Sequence, residues 1–189
     1  MIYPIVVYGH PTLRKVAEDV KKDHLGLQQL IDDLFETMYN AEGIGLAAPQ
    51  IGKPIRVFVI DGKDAADDEP SMANFKKAFI NAHVLEKSGK MVPMKEGCLS
   101  IPKMKEEVNR ESHIRIVYYD ENWEFHDEIF EGYKARVILH EYDHLDGIMY
   151  TDKLGPLRKR LIRGKLLSIS KGMFDTHYKT ILPWQKVKS

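Results

Sequence analysis

A single cysteine, Cys98, in 189 residues excludes an internal disulfide framework and suits a reducing cytoplasm. Net charge is missing too. The 28 basic residues balance 28 acidic ones, which argues against a general nucleic-acid coat, and DNA is not an expected partner. No membrane association is expected either: the N-terminal run Ile2-Tyr3-Pro4-Ile5-Val6-Val7-Tyr8 lacks a basic lead, is far too short for a span, and reads as a strand. There is no internal repeat, no G-x-G-x-x-G and no phosphate-loop lysine, so nucleotide binding is not expected. What is present is 43% hydrophobic residues, enough for one well-buried domain spanning 1–189.

The most informative stretch is His140-Glu141-Tyr142-Asp143-His144. On a helix, residues four apart share a face, so the two imidazoles converge on one point. Glu141 projects beside that point, where it can take a proton from a water activated by a metal. Arg136-Val137-Ile138-Leu139 is compatible with a helix, and Gly132 and Gly147 suit its two ends. A catalytic site of this kind usually has three protein ligands and an open position. Cys98, in Glu96-Gly97-Cys98-Leu99-Ser100, is a candidate third ligand. Taken alone, a lone cysteine reads as a small buried hydrophobe rather than a ligand. Its setting, after a glycine and before Leu99-Ser100-Ile101-Pro102, suggests a short strand leaving a turn.

A third segment, Gly43-Ile44-Gly45-Leu46-Ala47-Ala48-Pro49-Gln50, by itself marks only a turn after a helix. Taken in order, G-x-G-x-A-A-P-Q, E-G-C-L-S and H-E-x-D-H resemble the three motifs of the peptide deformylases. The resemblance extends from about residue 9 to about 160, including His10-Pro11-Thr12-Leu13-Arg14, Ala17 and Leu145-Asp146-Gly147. One departure is Val108-Asn109-Arg110, where family members often carry V-P-R: the proline is replaced and the arginine kept. Lys103 to Glu107 matches no pattern for substrate contacts. Other HExxH endopeptidases usually take His or Glu as third ligand at downstream spacings absent here. A closed structural zinc site would need four ligands. A metallopeptidase of other specificity and a ribosome-associated binding module are the competing readings.

The resemblance implies a metal-dependent hydrolase that removes the formyl group from N-formylmethionyl nascent peptides. It implies Cys98, His140 and His144 as metal ligands, Glu141 as the proton carrier, and Gln50 with the Leu99 backbone N–H as donors to the formyl oxygen. Gly43, Ile44 and Gly45 would meet the peptide backbone, and Ile44, Tyr133 and Val137 would form the methionine pocket. Gln50 could otherwise be an exposed loop amide, and Tyr133 and Val137 ordinary core. By ligand softness the thiolate and imidazoles suit zinc, ferrous iron, cobalt or nickel; the resemblance implies Fe2+ as the physiological ion.

Along the chain, Leu27, Leu30, Ile31, Leu34, Phe35 and Met38 predict an amphipathic helix over about 24–42. Arg56 to Ile60 predicts a strand, and the acidic stretch 61–77 a surface loop. A hairpin is expected around Ser88-Gly89-Lys90, and another joins Ile114–Tyr119 to Trp123–Phe130. A last helix starts near Pro156. The expected fold is α+β, with antiparallel or mixed sheets around a central metal-binding helix. Residues from about 150 to 189 form a basic helix and tail. From Lys153 on, Lys153, Arg158, Lys159, Arg160, Arg163, Lys165, Lys171, Lys179, Lys186 and Lys188 face one acid, Asp175. Leu157, Leu161, Ile162, Leu166 and Ile169 are expected on one docked side. The basic side is either solvated surface or a ribosome contact.

Overall fold

The structure, a computed structural model, describes residues 1–187. The N-terminal run forms a strand of only two residues, β1 (Ile5–Val6). Helix α1 (Leu27–Asn40) is shorter at both ends than its periodicity predicts. Gly26 adopts a left-handed backbone immediately before it, and Glu42 does so just after it. Its Leu27, Leu30, Ile31, Leu34 and Met38 are buried. Strands β2 (Gly45–Ala47) and β3 (Val57–Asp61) follow, and α1 packs across both. The acidic loop carries two short 3-10 turns, at Lys63–Ala65 and Pro70–Met72.

The hairpin expected at Ser88-Gly89-Lys90 does not form. Strand β4 runs unbroken from Lys76 to Cys98 and pairs antiparallel with β5 (Ile101–Tyr119). Ser88–Met91 is a bulge instead, where the register shifts. Gly89 supplies the positive φ of 81° that the bulge requires. The sequence signal was a real backbone irregularity, but a bulge and a turn draw on the same residues. The true turn is Leu99–Ser100, between the paired residues Cys98 and Ile101. Leu99 and Ser100 therefore form the tip, and the strand after them is 19 residues long, taking in the unassigned Lys103–Glu107.

Strand β6 (Phe125–Glu131) pairs with β5 as expected. It leads directly into α2 (Gly132–Leu145), which Gly147 follows with φ 70°. Helix α3 (Pro156–Ser170) begins with proline in its first turn, where a missing N–H costs nothing. The last strand is β7 (Thr180–Ile181). Strands β2-β3-β4-β5-β6 make one antiparallel sheet, and β1 and β7 pair in parallel. The fold is thus α+β with mixed sheets. Helix α2 lies against β2, β3, β5 and β6, with Ala135, Ile138, Leu139 and Leu145 almost fully buried. Phe58 and Phe79 stack at 4.5 Å in the same core, and Tyr118 tilts against Phe79 at 4.3 Å.

On α3, Ile162, Leu166 and Ile169 are buried, at i, i+4 and i+7. Leu157 and Leu161 are 74% and 65% exposed, so the expected five-residue docked face is reduced to three. Position 161 is one residue from 162, about 100° round the helix. Lys188 lies outside the described residues. Among those described, no helix is long and apolar enough to cross a membrane.

Candidate active site

Helix α2, the β4–β5 tip and the Gly43–Gln50 segment meet at one cleft of ≈ 590 Å³. Gly43, Ile44, Gly45, Gln50, Cys98, Leu99, Tyr133, Val137, His140 and Glu141 all line it. His144 sits behind them, 1% exposed. The donor atoms of Cys98, His140 and His144 all lie within 4.8 Å of one another. Cys98 Sγ is 3.3 Å from His144 Nε2. The expected third ligand and the two histidines are therefore brought together.

Several features fit this triad to a cation. His140 Nδ1 is 2.9 Å from Glu96 Oε2, so a proton held there leaves Nε2 free to ligate. Although burial lowers the pKa of His140, hydrogen bonding to Cys98 and Glu96 outweighs it and raises the pKa well above the usual value. His144 is shifted well below, by burial and then by His140. The two shifts run in opposite directions across one site, and a metal takes either imidazole in its neutral form. His144 Nδ1 and Glu141 Oε2 are buried without a protein hydrogen-bond partner among the described residues. A second cluster, Asp120, Glu124 and His126, is more open. Its Asp120 already accepts from His126 and from the backbone N–H groups of Asn122 and Glu124.

Burial raises the Glu141 carboxyl to about 7, against the opposing pull of His140. A group poised there can both take and return a proton near neutrality. Gln50 is 2% exposed, not a loop amide at the surface. Its Oε1 accepts from Ala47 N–H at 2.9 Å, and its Nε2 donates to Ser100 Oγ at 3.2 Å. The amide is thereby oriented towards the Cys98 tip.

The two glycines of G-x-G have a specific reason. A Cβ on Gly45 would fall 2.5 Å from Glu141 Oε1, and one on Gly43 would fall 2.8 Å from Leu99 Cδ1. The sequence reading assigned these glycines to approach by substrate. The structure shows that they also admit the carboxylate and the tip residue of the site itself. Tyr133 and Val137 line the cleft and also pack on the core with Ile44.

Beneath the triad lies a charged network that the motifs did not announce. Arg110 donates to Glu96 at 2.6 and 2.9 Å and to Asp143 at 2.7 Å. Arg136 adds a bond to the same Glu96 at 2.8 Å. Lys153 is 3.3 Å from Asp143. Burial alone would raise Glu96, but Arg110 and then His140 hold it well below the usual carboxylate range. Two signals pointed here: Arg136 stands one turn before His140, and Glu96 two residues before Cys98. The retained Arg110 is explained by its two buried carboxylates. The proline replaced by Asn109 occupies an ordinary position in β5 opposite Pro93.

A sequence model described as polypeptide deformylase matches residues 2–160. The chain is 50% identical to a peptide deformylase of Christiangramia forsetii, over 97% of each chain. It is 47% identical to one of Cytophaga hutchinsonii, over 98% of this chain and all of the other. Among solved structures, peptide deformylase from Thermus thermophilus superposes with a TM-score of 0.80 at 38% identity, covering 91% of this chain and 99% of that one. The Thermotoga maritima protein gives 0.74 at 39% identity, covering 82% and 99%.

Proposed function

The chain belongs to the peptide deformylase family, and from that premise we propose how its own residues carry out the hydrolysis. The enzyme removes the formyl group from N-formylmethionyl peptides and releases formate. Cys98, His140 and His144 would hold one divalent ion, ferrous iron physiologically, with zinc, nickel or cobalt able to take the same donors. When bound, that ion would supply Lewis acidity, lowering the pKa of a water towards neutrality. Glu96 orients His140 through Nδ1 and keeps its tautomer fixed.

Glu141 takes a proton from the attacking water as its oxygen bonds to the formyl carbon. The same carboxyl then delivers that proton to the amine as the C–N bond breaks. Gln50 Nε2 and the Leu99 N–H hold the formyl oxygen as negative charge develops on it. Ile44, Tyr133 and Val137 receive the methionine side chain. The rest of the peptide lies along β2, the free edge of the large sheet, whose backbone groups can pair with an extended chain of any sequence. Residues 1–189 act as one cytoplasmic catalytic domain. The basic face of α3, with Lys159, Arg160 and Arg163, meets the ribosome.

The observation that carries this reading is the convergence of Cys98, His140, His144 and the buried Glu141 at one cleft. Its test is anaerobic purification, with metal content and formate release from a formyl-Met peptide measured on the same sample. Glu141→Gln should keep its metal while turnover falls about 10²-fold or more. Near-full turnover in that variant would remove Glu141 from proton transfer.

A further inference from the structure

After α3 the chain turns back across the molecule to the cleft. The returning segment is fastened to the N-terminal strand, with Ile5 N–H donating to Lys179 O at 2.9 Å and Val7 N–H to Ile181 O at 3.0 Å. Pro183 packs against Gly9, and Val187 covers Gly52. Just before β7 the segment reaches both the end of α1 and the cleft. His177 Nε2 lies 3.1 Å from Asn40 O at the end of α1. On the other side the Tyr178 hydroxyl donates to Leu99 O at 2.8 Å, and its ring lines the cleft.

Leu99 and Ser100 are the two-residue tip of the β4–β5 hairpin, beyond the last pair Cys98–Ile101. Strand pairing does not restrain the tip carbonyls; other parts of the chain do. Ser100 O accepts from Tyr8 N–H at 2.8 Å, and Ser100 Oγ accepts from Gln50 Nε2 at 3.2 Å. Leu99 O is held by Tyr178. Removing the phenol hydroxyl leaves the 99–100 peptide free to rotate on one side, and the Leu99 backbone moves with it.

We propose that Tyr178 is a positioning residue for deformylation, its hydroxyl fixing the Leu99 backbone so that the Leu99 N–H meets the developing charge on the formyl oxygen. This rests on the reading of Leu99 as a donor to that oxygen. The family model stops at residue 160, so the contribution comes from a segment the motifs do not cover. Loss of an oxyanion donor costs ~10²–10³ in kcat, and loosening one without deleting it should cost about 10-fold.

The test compares metal-loaded full-length protein with Tyr178→Phe, which keeps the ring and deletes the donor. Steady-state formate release from a formyl-Met tripeptide gives kcat and KM, alongside metal content and the thermal midpoint. A fall in kcat of about 10-fold is expected, with KM within about twofold and metal content unchanged. Incorporating 3-fluorotyrosine at 178, which keeps the hydroxyl, should restore kcat. Val187→Ala, loosening the tail away from the cleft, should leave kcat near the parent value. A kcat for Tyr178→Phe within twofold of the parent overturns the proposal, as does an equal loss in Val187→Ala. If Tyr178→Phe does not fold, a fluorotyrosine protein with kcat well below the parent also overturns it. An inactive, metal-loaded parent would instead refute the deformylase reading itself.

Discussion

Replacing Arg110 by methionine removes one guanidinium from between two buried carboxylates while roughly keeping its volume. Arg110, Glu96 and Asp143 have side chains only 2%, 4% and 4% exposed. Truncating one partner of such a set typically costs about 3–5 kcal/mol, because the charge left behind cannot reach water. Glu96 keeps Arg136 and His140, and Asp143 keeps Lys153 at 3.3 Å. Both stranded carboxylates therefore retain a cation, which places the loss near about 3 kcal/mol, or roughly 6–12 °C in Tm for a chain of this size. Urea unfolding at fixed free metal is the assay, since bound metal adds to apparent stability. Adding Asp143→Asn to Arg110→Met deletes one stranded charge and should recover about 1 kcal/mol. A loss below about 1 kcal/mol for the single variant, or further loss in the double one, would show that the network is not desolvated as described.

Gly45→Ala puts a methyl 2.5 Å from Glu141 Oε1, and Glu141 is too buried to withdraw. A displacement of about 1 Å should cost about 10²-fold in kcat, whereas Gly164→Ala, with open space around it, should cost nothing; equal rates would refute the steric argument. Cys98→Ser should lose metal affinity or change metal preference along with activity, as seen by metal analysis after dialysis; full occupancy and full activity would remove Cys98 from the ligand set. The iron form should decay in aerated buffer while a nickel form persists, because ferrous iron beside a thiolate exposes both to oxidation; equal half-lives would count against it. Reversing Lys159, Arg160 and Arg163 to Glu should weaken ribosome binding and flatten its salt dependence, with turnover of a short peptide unchanged; binding as tight as the parent at low salt would make the face mere surface.

The helix-borne part of the site was legible because its code is local. His140, Glu141 and His144 are fixed relative to one another by helical spacing alone. Cys98 and Gln50 needed motifs read together, since nothing local says that a hairpin tip and a 3-10 turn will meet a helix 40 to 90 residues on. Helix α1 was recovered from its apolar period, with its ends shortened by left-handed residues that periodicity does not register. The β4 bulge was mistaken for a turn because Ser-Gly-Lys serves both, and only pairing across Glu111 and His113 decides between them. Glu96 and Asp143 lay inside the motifs and Arg110 beside one, but their pairing was not legible, since ionic contacts across 14 and 33 positions leave no local pattern. Tyr178 carried no signal at all, because its partner is a backbone carbonyl 79 positions away.

The length of β2 has a consequence for the life of the molecule in a crowded cell. A free strand edge that accepts any extended chain is also a place where partly folded proteins can add on and stay. Here that edge is three residues long, preceded by Gly43 and Ile44 and closed by the 3-10 turn that starts at Ala48-Pro49. Only a few backbone bonds can form before this edge ends, too few to retain a chain on their own. The same shortness that keeps the edge from collecting strangers would, with the peptide bound as proposed, let each finished chain depart.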